Sequence, residues 1–429
     1  MHYSKLLAAL AAMAAPAVGA LADTSVQQLT PTSVEVTYDD GGRMLVDFYG
    51  PNIFRLFRDP AGGEVRDPKA NPPAQILVDN PRIDPGELTV TSDGGVVSVA
   101  TPRVRIDFAS DSDAFTVTDL TTGHTVIETV GGTEFTPGRS TSLTLTEQPG
   151  EYFYGGGVQN GRFSHKGKVI DIRNTNSWTD GGVASPTPFY WSTGGYGAMW
   201  HTFAPGAYDF GATTPGRVQI SHESPYLDLF LMVDKEPVAL LNDFYQLTGN
   251  PVLLPKFGFY EGHLNAYNRD YWREDENGIL FEDGKHYRES QKDNGGIKES
   301  LNGELPGNYQ FSARAVIDRY ADADMPLGWV LPNDGYGAGY GQTSTLEGNV
   351  ANLKEFGDYA RSKGVEIGLW TQSDLHPVEG IEPLLQRDIV REVRDAGVRV
   401  LKTAVAWVGA GYSFGLNGVA DVAAIMPEY

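Results

Sequence analysis

Two patterns of apolar and polar positions divide this chain of 429 residues. In its first half, short segments alternate between apolar and polar residues and are joined by turns rich in Gly and Asp. Residues 33–38 and 44–49 alternate in this way around the turn Asp39-Asp-Gly-Gly42. Short strands at this spacing, with little helical period, predict an N-terminal β-sandwich domain over residues 23–240.

The pattern changes at Pro237, from which apolar residues recur at helical spacing as far as Leu247. Beyond that point, short apolar and β-branched runs alternate with longer segments of helical period. Strand, helix, strand, helix in this order predicts parallel β/α units with right-handed crossovers. The predicted strands are 257–263, 327–331, 365–370 and a fourth that begins at Val398, and the predicted helices between them are 312–321, 349–363 and 379–396.

Four such units are half of an eightfold barrel, so we predict the first half of a (β/α)8 TIM barrel over residues 241–429. The predicted fold class is therefore multidomain, β followed by α/β. A polar segment at about 266–311 is predicted to be an insertion whose acidic part, Arg273 to Gly284, is solvated and lacks the spacing of a calcium-binding loop. Because half a barrel exposes long edges, we expect the barrel to continue in a longer protein; a complete open α/β sheet is the alternative.

The N-terminus has the features of a secretory signal peptide. Lys5 precedes a run of small apolar residues, and Ala20-Leu-Ala22 is a cleavage signal before Asp23. We therefore predict that residues 1–22 are a cleaved signal and that the protein is secreted, either to the periplasm or outside the cell. The alternative is an apolar N-terminal helix that stays in the mature fold.

Charge and cysteine content narrow the classes of partner. The formal charge is −22 and there is no Cys. Such an acidic chain is not expected to bind nucleic acid, since a phosphate-binding surface needs an excess of Lys and Arg. Without Cys there are no disulfides, thiol nucleophiles or Cys metal sites. No segment beyond the signal is apolar for long enough to predict membrane insertion.

Side chains that can bind a polyhydroxylated ligand follow the predicted strands. In a barrel the groups after the carboxyl ends of the strands form the catalytic face. Carboxylates and Lys bind vicinal hydroxyls, and indoles cover the C–H patches of a sugar ring. Alternatives stay open: Trp370 and Trp407 fit a core, Asp334 a turn, and His263 a structural hydrogen bond. The candidates are Glu261, His263, Asn333, Asp334, Trp370, Gln372, Asp374, Lys402, Trp407 and position 404, which is Ala.

Several long motifs resemble glycoside hydrolase family 31, and more narrowly its bacterial α-N-acetylgalactosaminidase subgroup. The resemblance spans roughly residues 150 to 429. The motifs are Phe153-Tyr-Gly-Gly-Gly-Val-Gln159, Pro188-Phe-Tyr-Trp-Ser-Thr-Gly-Gly-Tyr-Gly197, Leu247-Thr-Gly-Asn-Pro251, Phe259-Tyr-Glu-Gly-His-Leu-Asn-Ala-Tyr-Asn268, Leu331-Pro-Asn-Asp-Gly-Tyr-Gly337, Gly368-Leu-Trp-Thr-Gln-Ser-Asp-Leu-His376 and Val398 to Leu416.

The resemblance implies a retaining hydrolase without a metal or other cofactor. The family nucleophile, an Asp, belongs at position 404, where this chain has Ala, and the acid/base belongs beyond Tyr429. We therefore expect an active parent enzyme and an inactive form here, through replacement of the nucleophile; a natural pseudoenzyme is the alternative.

The implied substrate is a glycoconjugate with α-linked N-acetylgalactosamine (GalNAc), such as a mucin-type O-glycan with Ser- or Thr-linked GalNAc. An α-galactosidase, an α-glucosidase or a non-catalytic glycan-binding protein is the alternative. The resemblance leaves the oligomeric state open. The substrate contacts that it implies, or that the strand ends suggest, are Asp334, Lys402, Trp370, Gln372, Glu261, His263, Trp407, Asn176 and Asp180.

Overall fold

The computed structural model describes residues 24–69, 75–93, 95–109, 111–175, 177, 179–264, 271–290, 295–332, 346–371 and 389–403. Strands dominate these residues, and the first α-helix begins only at Pro237. Among the described residues, no helix is both long and apolar enough to cross a membrane.

The strands that precede the first helix are β1 (Ser25–Thr30), β2 (Ser33–Thr37), β3 (Arg43–Phe48), β4 (Ile53–Arg58), β5 (Thr89–Asp93), β6 (Val96–Ala100), β7 (Val104–Phe108), β8 (Phe115–Asp119), β9 (His124–Glu128), β10 (Glu134–Thr136), β11 (Ser140–Thr146), β12 (Phe153–Gln159), β13 (Val169–Ile172), β14 (Val183–Ser192), β15 (Tyr196–Trp200), β16 (Gly206–Phe210), β17 (Arg217–His222) and β18 (Leu227–Val233).

The elements that follow are α1 (Pro237–Thr248), a 3-10 helix (Lys256–Phe259), β19 (Glu261–Leu264), β20 (Tyr271–Leu280), β21 (His286–Ser290), β22 (Ile297–Lys298), a second 3-10 helix (Tyr309–Phe311), α2 (Ala313–Asp322), β23 (Trp329–Pro332), α3 (Leu346–Ser362), β24 (Glu366–Thr371), α4 (Ile389–Ala396) and β25 (Val400–Thr403).

The strands before α1 form three sheets around a shared core. One sheet is eight-stranded, in the order β1-β2-β3-β4-β18-β15-β14-β12, and two are five-stranded, β10-β11-β17-β16-β13 and β5-β6-β7-β8-β9. Alternation along β3 buries Met44, Val46 and Phe48 while the residues between them are less buried. The same buried cluster takes Leu143 from the second sheet and Ile106 from the third. The predicted β-sandwich is confirmed, with a third sheet that alternation alone did not predict.

Helix α1 covers the outer face of the eight-stranded sheet at strand β18. All residues of β18 are buried, as in a strand that is covered on both faces. Leu240 and Leu247 of α1 pack in one cluster with Phe230 and Met232 of that strand. Helix α1 therefore packs on the sandwich, and the predicted domain limit at residue 240 falls inside it.

A four-stranded parallel sheet follows, in the order β19-β23-β24-β25. One helix lies between each pair of successive strands in the chain: α2, α3 and α4. Val330, Ile367 and Leu369 of the sheet share a buried cluster with side chains of all three helices. The helices therefore cover one face of a sheet whose strands are in chain order, as predicted for consecutive β/α units.

The predicted first strand, residues 257–263, is wrong over its first part. Residues Lys256–Phe259 form a 3-10 helix, and β19 begins at Glu261. The carbonyl oxygen of Gly258 accepts a hydrogen bond from Trp329 Nε1 at 3.2 Å. The Tyr260 carbonyl accepts one from the Gly328 backbone N–H at 2.8 Å. These bonds hold the segment against the start of β23, and its own N–H groups bond locally, Gly258 to the Pro255 carbonyl and Tyr260 to the Phe257 carbonyl, in place of a neighbouring strand.

The other predicted elements of this region are confirmed where the structure describes them, with ends shifted by a few residues. Residues 379–388 of the last predicted helix lie outside the described residues.

The insertion contains an antiparallel sheet, β21-β20-β22, which its polar composition did not predict. Trp272, in the central strand, pairs with Glu289 on one side and Ile297 on the other. Its ring lies 4.9 Å from that of Phe281 and 6.2 Å from that of Phe311. The insertion thus has a small aromatic core of its own, while most of its charged side chains are exposed.

Candidate active site

The four parallel strands end at one edge of their sheet. Leu264 pairs with Pro332, and Thr371 pairs with Thr403, so the carboxyl ends of β19, β23, β24 and β25 lie together. In barrels this edge carries the catalytic groups. The candidates that come after these ends, Asn333, Asp334, Gln372, Asp374, Ala404 and Trp407, lie outside the described residues.

The face of the sheet that turns away from the helices carries the described candidates. Side chains alternate along a strand, and Val330 and Ile367 face the helices. Glu261, Trp329 and Glu366 pair in one row of the opposite face. That face would line the interior of a closed barrel.

Lys402 lies on the same face, nearer the carboxyl edge, and its backbone pairs with that of Trp370. The side chain of Lys402 is exposed. A Lys inside an apolar strand would be costly to bury without a partner, and the exposure of Lys402 avoids that cost. The exposed Lys402 side chain therefore lies close to the edge at which barrel enzymes bind their ligands. The side chain of Trp370 lies outside the described part of the chain.

Glu261 and His263 are the described candidates at the start of the sheet. They are two residues apart in β19 and therefore share a face. Glu261 Oε1 lies 3.9 Å from His263 Nδ1, and both side chains are about half exposed. At this distance the carboxylate orients the imidazole only weakly, so both groups can turn towards a bound ligand.

Two residues of this face were missed by the sequence analysis. Trp329 is buried, and a Cβ on Gly368 would lie 2.6 Å from Cζ3 of its indole, so the indole lies close to the backbone of β24. Glu366 has a buried Oε2 without a hydrogen-bond partner among the described residues. Its signal in the sequence is a charged residue at an alternate position of an apolar strand, Val365-Glu-Ile-Gly-Leu369.

The two candidates from the sandwich, Asn176 and Asp180, belong to the loop at residues 174–180. Its two ends are joined, because the Thr175 N–H donates to the Val183 carbonyl oxygen at 3.0 Å. Asp180 is exposed in a turn in which the Gly182 N–H donates to the Thr179 carbonyl oxygen at 2.9 Å. Asn176 lies outside the described residues. The carboxylate of Asp180 is thus accessible, and no described contact joins it to the parallel sheet.

Among the described side chains, no group of three or more His, Asp or Glu residues is placed to hold a metal ion.

The sandwich matches a known family of domains. Residues 43–209 match the sequence model of the glycosyl hydrolase 31 N-terminal galactose mutarotase-like domain. Two curated relatives are α-xylosidases. That of Emericella nidulans is 28% identical over 132 residues, which are 30% of this chain and 17% of the relative. The α-xylosidase XylQ of Lactiplantibacillus pentosus is 30% identical over 139 residues, 31% of this chain and 18% of the relative.

Solved structures share the fold over most of the chain. The GH31 dextranase of Flavobacterium johnsoniae, complexed with glucose, aligns with a TM-score of 0.63 at 13% identity, over 82% of this chain and 38% of that one. A GH31 α-xylosidase from a soil metagenome, complexed with xylose, gives 0.61 at 12% identity, over 92% and 61%. The cycloalternan-forming enzyme of Listeria monocytogenes, in complex with a pentasaccharide substrate, gives 0.59 at 14%, over 84% and 33%.

At these identities the likeness shows the fold alone. That fold is the predicted one, a β-sandwich followed by a TIM barrel of which this chain includes the first part. The chain spans less than two thirds of the length of each of these structures. Residues 43–209 are therefore similar to the N-terminal galactose mutarotase-like domain of glycosyl hydrolase 31, and the parallel β/α sheet that follows shares the fold of the solved structures described above.

Proposed function

We propose that the protein is a retaining, exo-acting glycoside hydrolase that releases terminal α-linked GalNAc from O-glycans and other glycoconjugates. One observation carries the assignment of a hydrolase site. The described part of strand β25 reaches Thr403, and position 404 is the next residue in the chain after this part of the fourth parallel strand. This is where a barrel enzyme carries catalytic groups, and where the family resemblance requires the nucleophile.

Retention needs two carboxyl groups about 5 to 5.5 Å apart on either side of the glycosidic bond. One attacks the anomeric carbon and forms a covalent glycosyl intermediate while the other protonates the departing oxygen. The second group then takes a proton from water as the water attacks the same carbon, which restores the original configuration. The methyl group of Ala404 has no lone pair for the first step, so this form should bind substrate and not cleave it.

The remaining side chains would bind and orient the sugar. Lys402 is suited to donate to ring hydroxyls, because its ammonium is exposed two residues before position 404. Glu261 and His263 are accessible at the first strand. The other proposed substrate contacts are Asp334, Trp370, Gln372, Trp407, Asn176 and Asp180.

The preference for GalNAc is supported by the motifs around Lys402 and Trp370, which resemble the α-N-acetylgalactosaminidase subgroup. A second candidate is an α-xylosidase, because both curated relatives described above carry that name. An α-galactosidase, an α-glucosidase and a non-catalytic glycan-binding protein remain rivals.

The test is the change Ala404→Asp in the full-length protein, assayed with 4-nitrophenyl α-glycosides of GalNAc, galactose, glucose and xylose. We expect the change to raise hydrolysis of the GalNAc glycoside by at least about 10⁴-fold, as expected when a missing catalytic group is restored. Faster cleavage of the xyloside or galactoside would replace the proposed specificity. A folded, sugar-binding variant that cleaves none of the four would favour a glycan-binding protein.

We also propose that the protein is exported, with residues 1–22 removed as a signal peptide. N-terminal sequencing of the mature protein should then begin at Asp23. A mature protein that still begins at Met1 would contradict this.

A further inference from the structure

A cavity of about 360 Å³ lies between the insertion and helix α2. His263 of β19 lines one part of it, Trp272 and Glu289 of the insertion sheet another, and Arg319 of α2 a third. His263 is one residue before Leu264, the carboxyl end of β19. The cavity therefore adjoins the edge of the sheet where we place the reaction, and its volume falls in the range of small-ligand sites.

Part of the cavity wall is apolar and accessible. Ile279 and Leu280, at the end of β20, line the cavity and are 63% and 60% exposed. Neither side chain is part of the aromatic core of the insertion, which Trp272, Phe281 and Phe311 form. Neighbouring aliphatic side chains at a cavity are suited to contact the C–H face of a ring-shaped ligand.

The polar part of the cavity wall includes two carboxyl groups, those of Glu289 and Glu299. Glu299 Oε1 accepts a hydrogen bond from Trp272 Nε1 at 2.8 Å. Burial raises the pKa of Glu299 to about 7, and the nearby Glu289 carboxylate acts in the same direction against the hydrogen bond from Trp272. Near neutral pH this group can therefore accept or donate a hydrogen bond.

The cation in the wall is already neutralised. Arg319 donates from Nε and Nη2 to the two carboxylate oxygens of Glu282, at 2.6 and 2.9 Å. Its guanidinium also lies 5.0 Å from the ring centroid of Phe281. A bidentate pair of this kind fixes the guanidinium. The polar groups left for a ligand are mainly acidic, which favours hydroxyl donors and disfavours anions.

We propose that this cavity is a subsite for a neutral sugar unit, the one next to the GalNAc residue that is released. A pyranose ring fits both the apolar and the polar part of the cavity wall. Its C–H face packs on Ile279 and Leu280, and its hydroxyls donate hydrogen bonds to Glu289 and Glu299. The insertion would thus select the glycan to which GalNAc is attached and exclude sulfated or sialylated units. This inference rests on the proposed function.

The experiment is titration calorimetry of the full-length protein with three probes. They are methyl α-GalNAc, a disaccharide of α-GalNAc linked to galactose, and the same disaccharide sulfated on galactose. We expect the neutral disaccharide to bind about tenfold more tightly than the methyl glycoside, and the sulfated one no more tightly than it.

Two variants test whether the tighter binding of the neutral disaccharide depends on the cavity. Leu280→Trp fills the cavity from an exposed position, and Glu289→Gln removes the charge of a hydrogen-bond acceptor. Each variant should lower the affinity for the neutral disaccharide by about fivefold or more. Each should change the affinity for methyl α-GalNAc by less than about twofold. Glu304→Gln is the matched control, because that carboxylate is exposed and outside the cavity lining.

A disaccharide that binds no better than the methyl glycoside, or variants that behave like Glu304→Gln, would overturn the subsite and leave the proposed function standing. Failure of all three probes to bind the folded protein would overturn both.

Discussion

At the scale of single residues, the inner face of the parallel sheet depends on one close contact. Trp329 is 8% exposed and lies against the backbone of the neighbouring strand. A Cβ added to Gly368 would lie 2.6 Å from Cζ3 and 2.7 Å from Cε3 of its indole. Gly368 is thus required by the space that the indole occupies. The sequence places a Gly inside a strand, but it does not identify the side chain that packs against that Gly.

The change Gly368→Ala should destabilise the protein by about 1 to 3 kcal/mol, because the buried indole must move or the strands must separate. Denaturant unfolding followed by tryptophan fluorescence measures this. Gly258→Ala is the control, since its added methyl would meet only Leu254 Cβ, at 3.7 Å. Equal stability of the two variants would mean that the contact is not tight.

The sequence predicts single site residues at strand ends, but it does not predict which of these residues lie side by side in the folded sheet. Lys402, Glu261 and His263 were identified because charged or polar side chains stand at strand ends. The row that joins Glu261 to Trp329 and Glu366 depends on strand register, which the residues of any one strand do not specify.

At the scale of elements, helix α1 is held to the sandwich by a partly buried polar pair beside an apolar contact. Asn52 Nδ2 donates to Asp243 Oδ2 at 2.7 Å. Burial raises the pKa of Asp243 to about 7; the hydrogen bond from Asn52 opposes this rise, and nearby Asp234 adds to it. The folded state therefore prefers the protonated carboxyl group.

This pKa makes stability depend on pH. A folded pKa above the ordinary value of 3.8 stabilises the protein fully below about pH 4, and this contribution is lost as pH rises towards 7. Asp243→Asn stays neutral throughout, so its Tm relative to the parent should rise by about 3 °C between pH 4 and pH 8. Thermal unfolding at several pH values checks this.

Asp79→Asn, at an exposed carboxylate, is the control for loss of one charge. A difference in Tm between Asp243→Asn and the parent that does not change with pH would show that Asp243 is ionised in the fold like a surface carboxylate.

The elements that the sequence predicted well have long, regular periods. Helix α3 and strand β24 were predicted almost to their ends, because one face of each is buried. The first barrel strand was placed too early because Phe257-Gly-Phe-Tyr260 is apolar in any conformation, and only hydrogen bonds from β23 decide its shape. The insertion sheet was missed because its pairing partners are charged.

At the scale of the whole molecule, the sandwich and the parallel sheet have separate cores. One cluster joins the three sandwich sheets, and another joins β23 and β24 to the three helices beside them. The change from alternating to helical periodicity predicted this division, since each periodicity buries its own kind of face. The position of α1 was not predicted, because its apolar stripe fits a sandwich or a barrel equally well.

The measurement that tests the central claim most directly is titration calorimetry of the unaltered protein, with Ala at position 404, against a peptide that carries Ser-linked α-GalNAc. The account predicts saturable binding and no release of GalNAc, because the sugar-binding groups are present and the nucleophile is missing. Release of GalNAc would contradict the role of position 404. Absence of binding by the folded protein would contradict the proposed sugar site.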